Sequence, residues 1–220
     1  MSTPRPRPVR RRYDSARRQD QARATRHAIL HAAAAQFAEH GYVGSTMDRI
    51  ATAAGVAPET VYATFGNKRS ILAALVDVAI AGDEEPAPLL ERSWVHELAA
   101  EPDRDRRVDL LAHHGTRILA RRSQVDEIVA QAAGADREAA ALLAKGKAER
   151  HAGQRRLLGL VAGEDGPRAG LSLDDAADIL FAVGSPEVYR LLVVDRGWSP
   201  ERFEAWYADT MRRLLLRAPG

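Results

Sequence analysis

The chain has 220 residues, 32 of them basic and 30 acidic, and it contains no cysteine. Disulfides and thiolate metal sites are therefore excluded. No apolar run approaches the roughly 20 residues of a membrane span, and the Arg-rich start lacks the apolar stretch of a secretory signal. The expected setting is the cytoplasm, and the length suits one domain or two small ones.

The near-neutral total hides a local excess. Residues 1–23 carry eight Arg against Asp14 and Asp20, a balance of +6, which leaves −4 for the rest of the net +2. We read residues 1–21 as a disordered basic arm, because a Pro- and Arg-rich segment cannot bury enough apolar area to order itself. Such an arm either tracks phosphates or enters a minor groove, or it is a solubilising tail without a partner.

Residues 22–40 form an Ala-rich helical pattern with Ile29, Leu30, Ala33 and Phe37 along one stripe, ended by Gly41. His27 and His31 have the i, i+4 spacing of zinc ligands, but they lie off that stripe and no third ligand is near. His96-Glu97 lacks the second His of a metalloprotease helix. No metal and no cofactor is expected.

The most informative stretch is residues 45–72, STMDRIATAAGVAPETVYATFGNKRSIL. Ser45 with Asp48 reads as a capping-box-like start, and Met47, Ile50, Ala51 and Ala54 recur on one helical face, predicting a helix over 46–54. Gly55 supplies the backbone freedom of a helix end, and Pro58 opens a second helix over 58–65. On that helix Val61 and Phe65 share one side, whereas Glu59, Thr60 and Ala63 point the other way. A short helix with small and polar residues outward has the geometry that enters a major groove about 12 Å wide. Asn67 then caps a third helix beginning Lys68-Arg69, where free backbone N–H groups and positive side chains suit a phosphate.

Residues 25–75 resemble the amino-terminal domain of the TetR family of bacterial transcriptional repressors. The likeness rests on Ile29, Ala33, Phe37, Gly41 and Tyr42, then on Thr46, Ile50, Ala51, Ala54, Gly55 and Val56, and beyond them on Thr60, Val61, Tyr62, Phe65, Lys68 and Leu72. Thr64, Gly66 and Arg69 depart from the residues the family most often has there. The resemblance implies a DNA-binding domain over 22–72, in which Thr46, Tyr62 and Lys68 hold phosphates while Glu59, Thr60, Ala63 and Thr64 face base edges.

The helix begun at Lys68 is expected to reach about Gly82, with a break at residues 83–86. Helices are expected over 89–99 and 105–122, and the Ala-rich pattern over 124–162 is either one kinked helix or two. Residues 163–170 form a connector, since they follow a helix and lack the Gly-Lys-Ser/Thr ending of a phosphate loop. Ser172 and Asp175 cap the next helix, Gly184-Ser185-Pro186 interrupts it, and Val188 to Val194 continue it towards Gly197. Ser199-Pro200 opens the last helix, whose stripe of Phe203, Trp206, Tyr207, Met211, Leu214 and Leu215 is either core or a subunit interface.

The fold class expected is all-α: a three-helix helix-turn-helix domain followed, over 73–220, by a larger helical effector-binding and dimerisation domain, about nine to ten helices in all. The family resemblance implies a homodimeric, sequence-specific repressor that leaves a pseudo-palindromic operator when a small-molecule effector binds. A constitutive helical DNA-binding protein without an effector is the alternative. No enzyme motif is present in a context that would support one. Candidate effector-binding residues are Trp94, His113, Arg117 and Tyr189, with His114 adjacent, as polar or aromatic groups in otherwise apolar helices.

Overall fold

The computed structural model describes residues 10–82 and 88–216, with side chains from residue 17 onward. Its chain divides into two compact units between Ile71 and Leu72. Among the described residues the architecture is all-helical, apart from a single antiparallel bridge between Pro167 and Leu216. No helix among them is long and apolar enough to cross a membrane.

In the first unit, α1 (Arg10–Gly44), α2 (Met47–Ala54) and α3 (Pro58–Phe65) are followed by the start of α4 (Lys68–Ala81). The expected arm is corrected in part: residues 1–9 lie outside the described residues, but from Arg10 the backbone is helical. The Arg, Gln and Ala residues that dominate this stretch are good helix formers, so the helix extends where low hydrophobicity alone suggested disorder. At Gly41 the backbone leaves the helical region (φ 69°, ψ 169°), which turns the chain towards α2. Ile29, Leu30, Ala33 and Phe37 are buried.

The start of α2 also differs from expectation. Thr46, not Ser45, is the capping residue, its hydroxyl accepting from the Arg49 N–H at 3.2 Å. Ser45 is buried and donates to the carbonyls of Gln36 (2.9 Å) and Gly41 (2.8 Å), closing the corner that Gly41 opens. Met47, Ile50 and Ala51 face inward. Gly55 ends α2 in the left-handed region (φ 67°), which a side chain disfavours, and Pro58 opens α3 at its first turn. Burial of Val61 and Phe65 fixes α3 against its partners, each side chain contributing about 1.5–3 kcal/mol.

The second unit consists of α5 (Ser93–Ala100), α6 (Arg104–Ala133), α7 (Arg137–Ala162), α8 (Leu173–Val183), α9 (Pro186–Tyr189) and α10 (Pro200–Leu215), together with the rest of α4. The expected break at 83–86 lies outside the described residues. A single 3-10 turn, Leu89–Glu91, precedes α5. Helix α6 runs beyond the expected end at 122, and the pattern over 124–162 resolves into two helices that part at Gly134, where Asp136 caps α7. Beyond Ser185, which caps the single turn α9, the chain continues as a π-helix, Arg190–Asp195.

Helix α6 is the centre of this unit, packing on α5, α7, α9 and α10, while α7 also packs on α8. The core takes Leu98, Val108, Leu158, Leu180, Phe203 and Met211. Much of the stripe on α10 is therefore intramolecular: Phe203, Tyr207, Met211 and Leu215 are buried, Trp206 is half-buried and Leu214 is exposed.

Candidate nucleic-acid interface and ligand cavity

Helix α3 has one buried side and one open side. Val61 and Phe65 are enclosed, Glu59, Tyr62 and Ala63 are exposed, and Thr60 and Thr64 are half-buried. The Thr64 hydroxyl donates back to the Thr60 carbonyl at 2.7 Å, one turn earlier. Its outward surface is therefore largely its methyl group. Beneath the helix, the Arg26 guanidinium lies 4.6 Å from the centre of the Phe65 ring, a cation–π contact that fastens α1 to α3.

Lys68 occupies an unexpected place. Its ammonium donates to the carbonyls of Tyr42 (2.5 Å) and Ser45 (2.8 Å) and stands 4.2 Å from the centre of the Tyr42 ring. The carbonyls exposed by the end of α1 and the turn into α2 thus gain a charged donor. Asn67 caps α4, its carboxamide oxygen accepting from the Ser70 N–H at 3.0 Å. Thr46, Glu59, Thr60, Tyr62, Ala63, Thr64 and Lys68 consequently all belong to one small unit, with Lys68 and Thr46 also serving as internal braces.

The second unit encloses a cavity of about 930 Å³. Helices α4, α6 and α7 supply much of an apolar wall that includes Val76, Ile80, Leu111, Leu119, Leu143 and Leu157, with Trp94 from α5. Of the four candidate effector residues only Trp94 lines it. Trp94 stacks on His114, ring centres 4.6 Å apart and nearly parallel. His113 instead faces Glu204 at 3.2 Å, Tyr189 is buried against Phe203, and Arg117 is exposed. These three residues lie off the cavity wall, His113 and Tyr189 turned to neighbours on α10 and Arg117 to solvent.

The polar part of the cavity comes from residues that sequence reasoning passed over. Arg122 and Asp126, one turn apart on α6, form a two-point pair at 2.8 and 2.9 Å with little solvent on either side chain. Arg150 on α7 donates to the carbonyls of Phe181 (3.1 Å) and Gly184 (3.4 Å), its guanidinium 3.8 Å from the Phe181 ring centre. Gln154 donates to the same Gly184 carbonyl at 3.0 Å. That bond fixes the amide orientation and leaves its buried oxygen without a partner. Tyr207 is enclosed, and burial pushes its phenol well above the ordinary value. The i, i+4 spacing of Arg122–Asp126 and of Arg150–Gln154 was the available signal, but such spacing also describes any solvated helix face.

Among the described residues no cluster of His, Cys, Asp and Glu could hold a metal ion. The arrangement of α2, tight turn and α3, braced by α1, is that of a helix-turn-helix domain. Residues 29–75 match the family model described as bacterial regulatory proteins, tetR family. It is 35% identical over 89 residues to an HTH-type transcriptional repressor of Streptomyces coelicolor, covering 36% of this chain. The match spans 45% of that relative's length, less than half of it. Two solved structures share the fold across both units. One, the SmeT–triclosan complex, has a TM-score of 0.68 at 24% identity, with 90% of this chain and 96% of the other covered. The other, NalD of Pseudomonas aeruginosa, titled the secondary repressor of the MexAB-OprM multidrug efflux pump, has a TM-score of 0.67 at 21% identity, with 91% and 100% covered.

Proposed function

We propose that this chain is a sequence-specific DNA-binding transcriptional repressor that acts as a homodimer and is released from its operator when a small molecule occupies the cavity of the second unit. The observation that carries the reading is the open face of α3: a helix packed through Val61 and Phe65 turns Glu59, Tyr62 and Ala63 to solvent. Residues on such a face meet base edges once the helix lies in a major groove. In this reading Glu59, Thr60, Ala63 and Thr64 select sequence, while Thr46 and Tyr62 hold phosphates. Lys68 acts chiefly by holding α4 to the corner between α1 and α2, which keeps the N-terminus of α4 in place for a phosphate.

Dimerisation is supported by the second unit's surface. The large apolar side chains left exposed there, among the described residues, are Leu191, Val194 and Leu214, all on its last two segments. A two-fold pair of reading heads suits a pseudo-palindromic site. Release by a ligand is supported by the cavity and requires that the ligand bind the two conformations with different affinities. The reading assigns the protein a cytoplasmic setting and no catalytic chemistry.

The test is selection of duplexes by the purified chain from a random library, at low and at physiological salt. Enrichment of an inverted repeat, with affinity falling steeply as salt rises, is the expected result. A chain indifferent to every duplex at low ionic strength would overturn the reading.

A further inference from the structure

The cavity's charges nearly balance, and the exception is informative. Arg122 pairs with Asp126, Lys145 with Glu149, Lys147 with Glu187 and Arg190 with Glu127. Asp77, Glu91 and Arg156 make no ion pair among the described residues, but all three are exposed and water solvates them. Arg150 is different. It lines the cavity, is half-buried, and among the described residues makes no ion pair, although Glu187 and Asp126 act on it through space. Its contacts are two carbonyls and the face of Phe181. A cation withdrawn from water is stabilised by an anion or left at a cost. Burial acts on Arg150 in that sense, holding its pKa below the ordinary guanidinium value.

We propose, resting on the reading of this cavity as the effector site, that its ligand is a hydrophobic carboxylic acid, with the carboxylate on Arg150 and the apolar body along the wall of Leu111, Leu119 and Leu157. The local hydrogen bonds allow this exchange. The Gly184 carbonyl accepts from both Arg150, at 3.4 Å, and Gln154, at 3.0 Å. When a carboxylate draws the guanidinium off the Gly184 carbonyl, Gln154 still satisfies that acceptor, and a small shift of this kind keeps the 3.1 Å bond from Nη1 to the Phe181 carbonyl. A guanidinium presents a planar fork that matches a carboxylate at two points. The Arg122–Asp126 pair is already neutral and offers no comparable attraction. The volume, near the upper end for small-molecule sites, leaves room for a long alkyl or multi-ring body.

The experiment compares three probes with the same ten-carbon chain, namely decanoate, decanol and decylamine, by calorimetry and thermal shift on the full chain. Wild type is measured beside Arg150→Met, Arg150→Lys and the cavity-filling Leu119→Trp. In wild type, decanoate is expected to bind about tenfold more tightly than decanol, the scale of one charge-assisted bond, and decylamine more weakly than either. The Lys variant keeps part of the preference, the Met variant loses it to within about twofold, and the Trp variant loses binding of all three. If Arg150→Met does not fold, the wild-type ranking and the Lys variant still decide. Equal binding of acid and alcohol, or preference for the amine, overturns the assignment while leaving the cavity a ligand site. Absence of binding by all three probes overturns both. None of these outcomes bears on duplex selection, which is read separately.

Discussion

The ammonium of Lys68 donates to the backbone carbonyl of Tyr42 and lies over the ring of that same residue, 4.2 Å from its centre. One side chain thus holds the start of α4 to the end of α1 by a charged hydrogen bond and by a cation–π contact. Replacing it with Met retains much of the stem's packing but removes both. The expected cost is about 1.5–3 kcal/mol, the range for hydrogen bonds to charged groups, seen as a lower urea midpoint with an unchanged slope. Loss of duplex affinity is expected to accompany it on all sequences alike. Full stability together with weakened DNA binding would show that Lys68 acts on phosphate alone.

Tyr207 is confined between two glycines. A Cβ on Gly184 would lie 2.3 Å from the Tyr207 hydroxyl and 3.0 Å from the Leu180 carbonyl, and one on Gly115 would lie 3.2 Å from the ring. Gly184→Ala is expected to destabilise by about 1–3 kcal/mol, as overpacked cores do. Tyr207→Phe removes the atom nearest the new methyl group, so in the double variant part of that loss is recovered. Additive single effects in a thermal-melt cycle would mean that the two positions do not meet.

Thr60 and Tyr62 lie on the same helix but carry different expectations. Phosphate contacts position a protein, and base contacts specify. Thr60→Ala is expected to change which base is preferred at one operator position, by about 1–3 kcal/mol if its contact is a good one. Tyr62→Phe is expected to weaken all duplexes equally. Selection from a degenerate library separates the two, and the same change of preference in both variants would sink the assignment.

The parts legible in the sequence are those fixed by local chemistry. Pro58 opens α3, Ser172 and Ser199 cap α8 and α10, and the apolar spacing of Ile29, Ala33 and Phe37 gives the buried side of α1. Where two neighbouring hydroxyls competed for one cap, the pattern misled: Ser45 and Thr46 both suit the role, and the carbonyls left open at Gly41 and Gln36 decide which is drawn inward. The cavity was illegible for a different reason. Arg122 and Arg150 are 28 positions apart on separate helices, and a charged residue on a helix reads as solvated until its neighbours are known. His113 and His114 were equally eligible by type. Only the packing of Trp94 against one of them and Glu204 against the other distinguishes them.

His114 is expected to make stability depend on pH. Burial lowers its pKa below the ordinary imidazole value, and the charges of His113 and Arg117 add to this, while Glu97 and Glu204 oppose it. The folded state therefore favours the neutral ring. As pH falls through about 6.5 the unfolded chain takes up the proton first, so stability decreases in that window and is restored as pH rises above it. His114→Phe keeps a ring against Trp94 without the titration. Its unfolding free energy, measured in urea from pH 7.5 to 5, is expected to be flatter than that of wild type, and parallel profiles would exclude His114 as the source.

Burial makes the two halves of the Arg122–Asp126 pair unequal to its whole. Both side chains are mostly enclosed, at 10% and 17% exposure. Removing Arg122 leaves a carboxylate with little water, which for buried pairs costs about 3–5 kcal/mol. Arg150 is close enough to feel both charges, so it compensates part of the loss in Arg122→Met and the cost falls toward the lower end. In Asp126→Asn the sign reverses: Arg122 and Arg150 become neighbouring cations without a shared anion, and the cost is expected to be the larger of the two. The double variant Arg122→Met with Asp126→Leu removes both charges and should recover most of the stability, since an apolar pair of similar volume does not require solvation. Urea unfolding of the four proteins gives the ordering directly. A double variant as unstable as the worse single one would mean that the pair contributes through geometry at the cavity wall and not through charge balance.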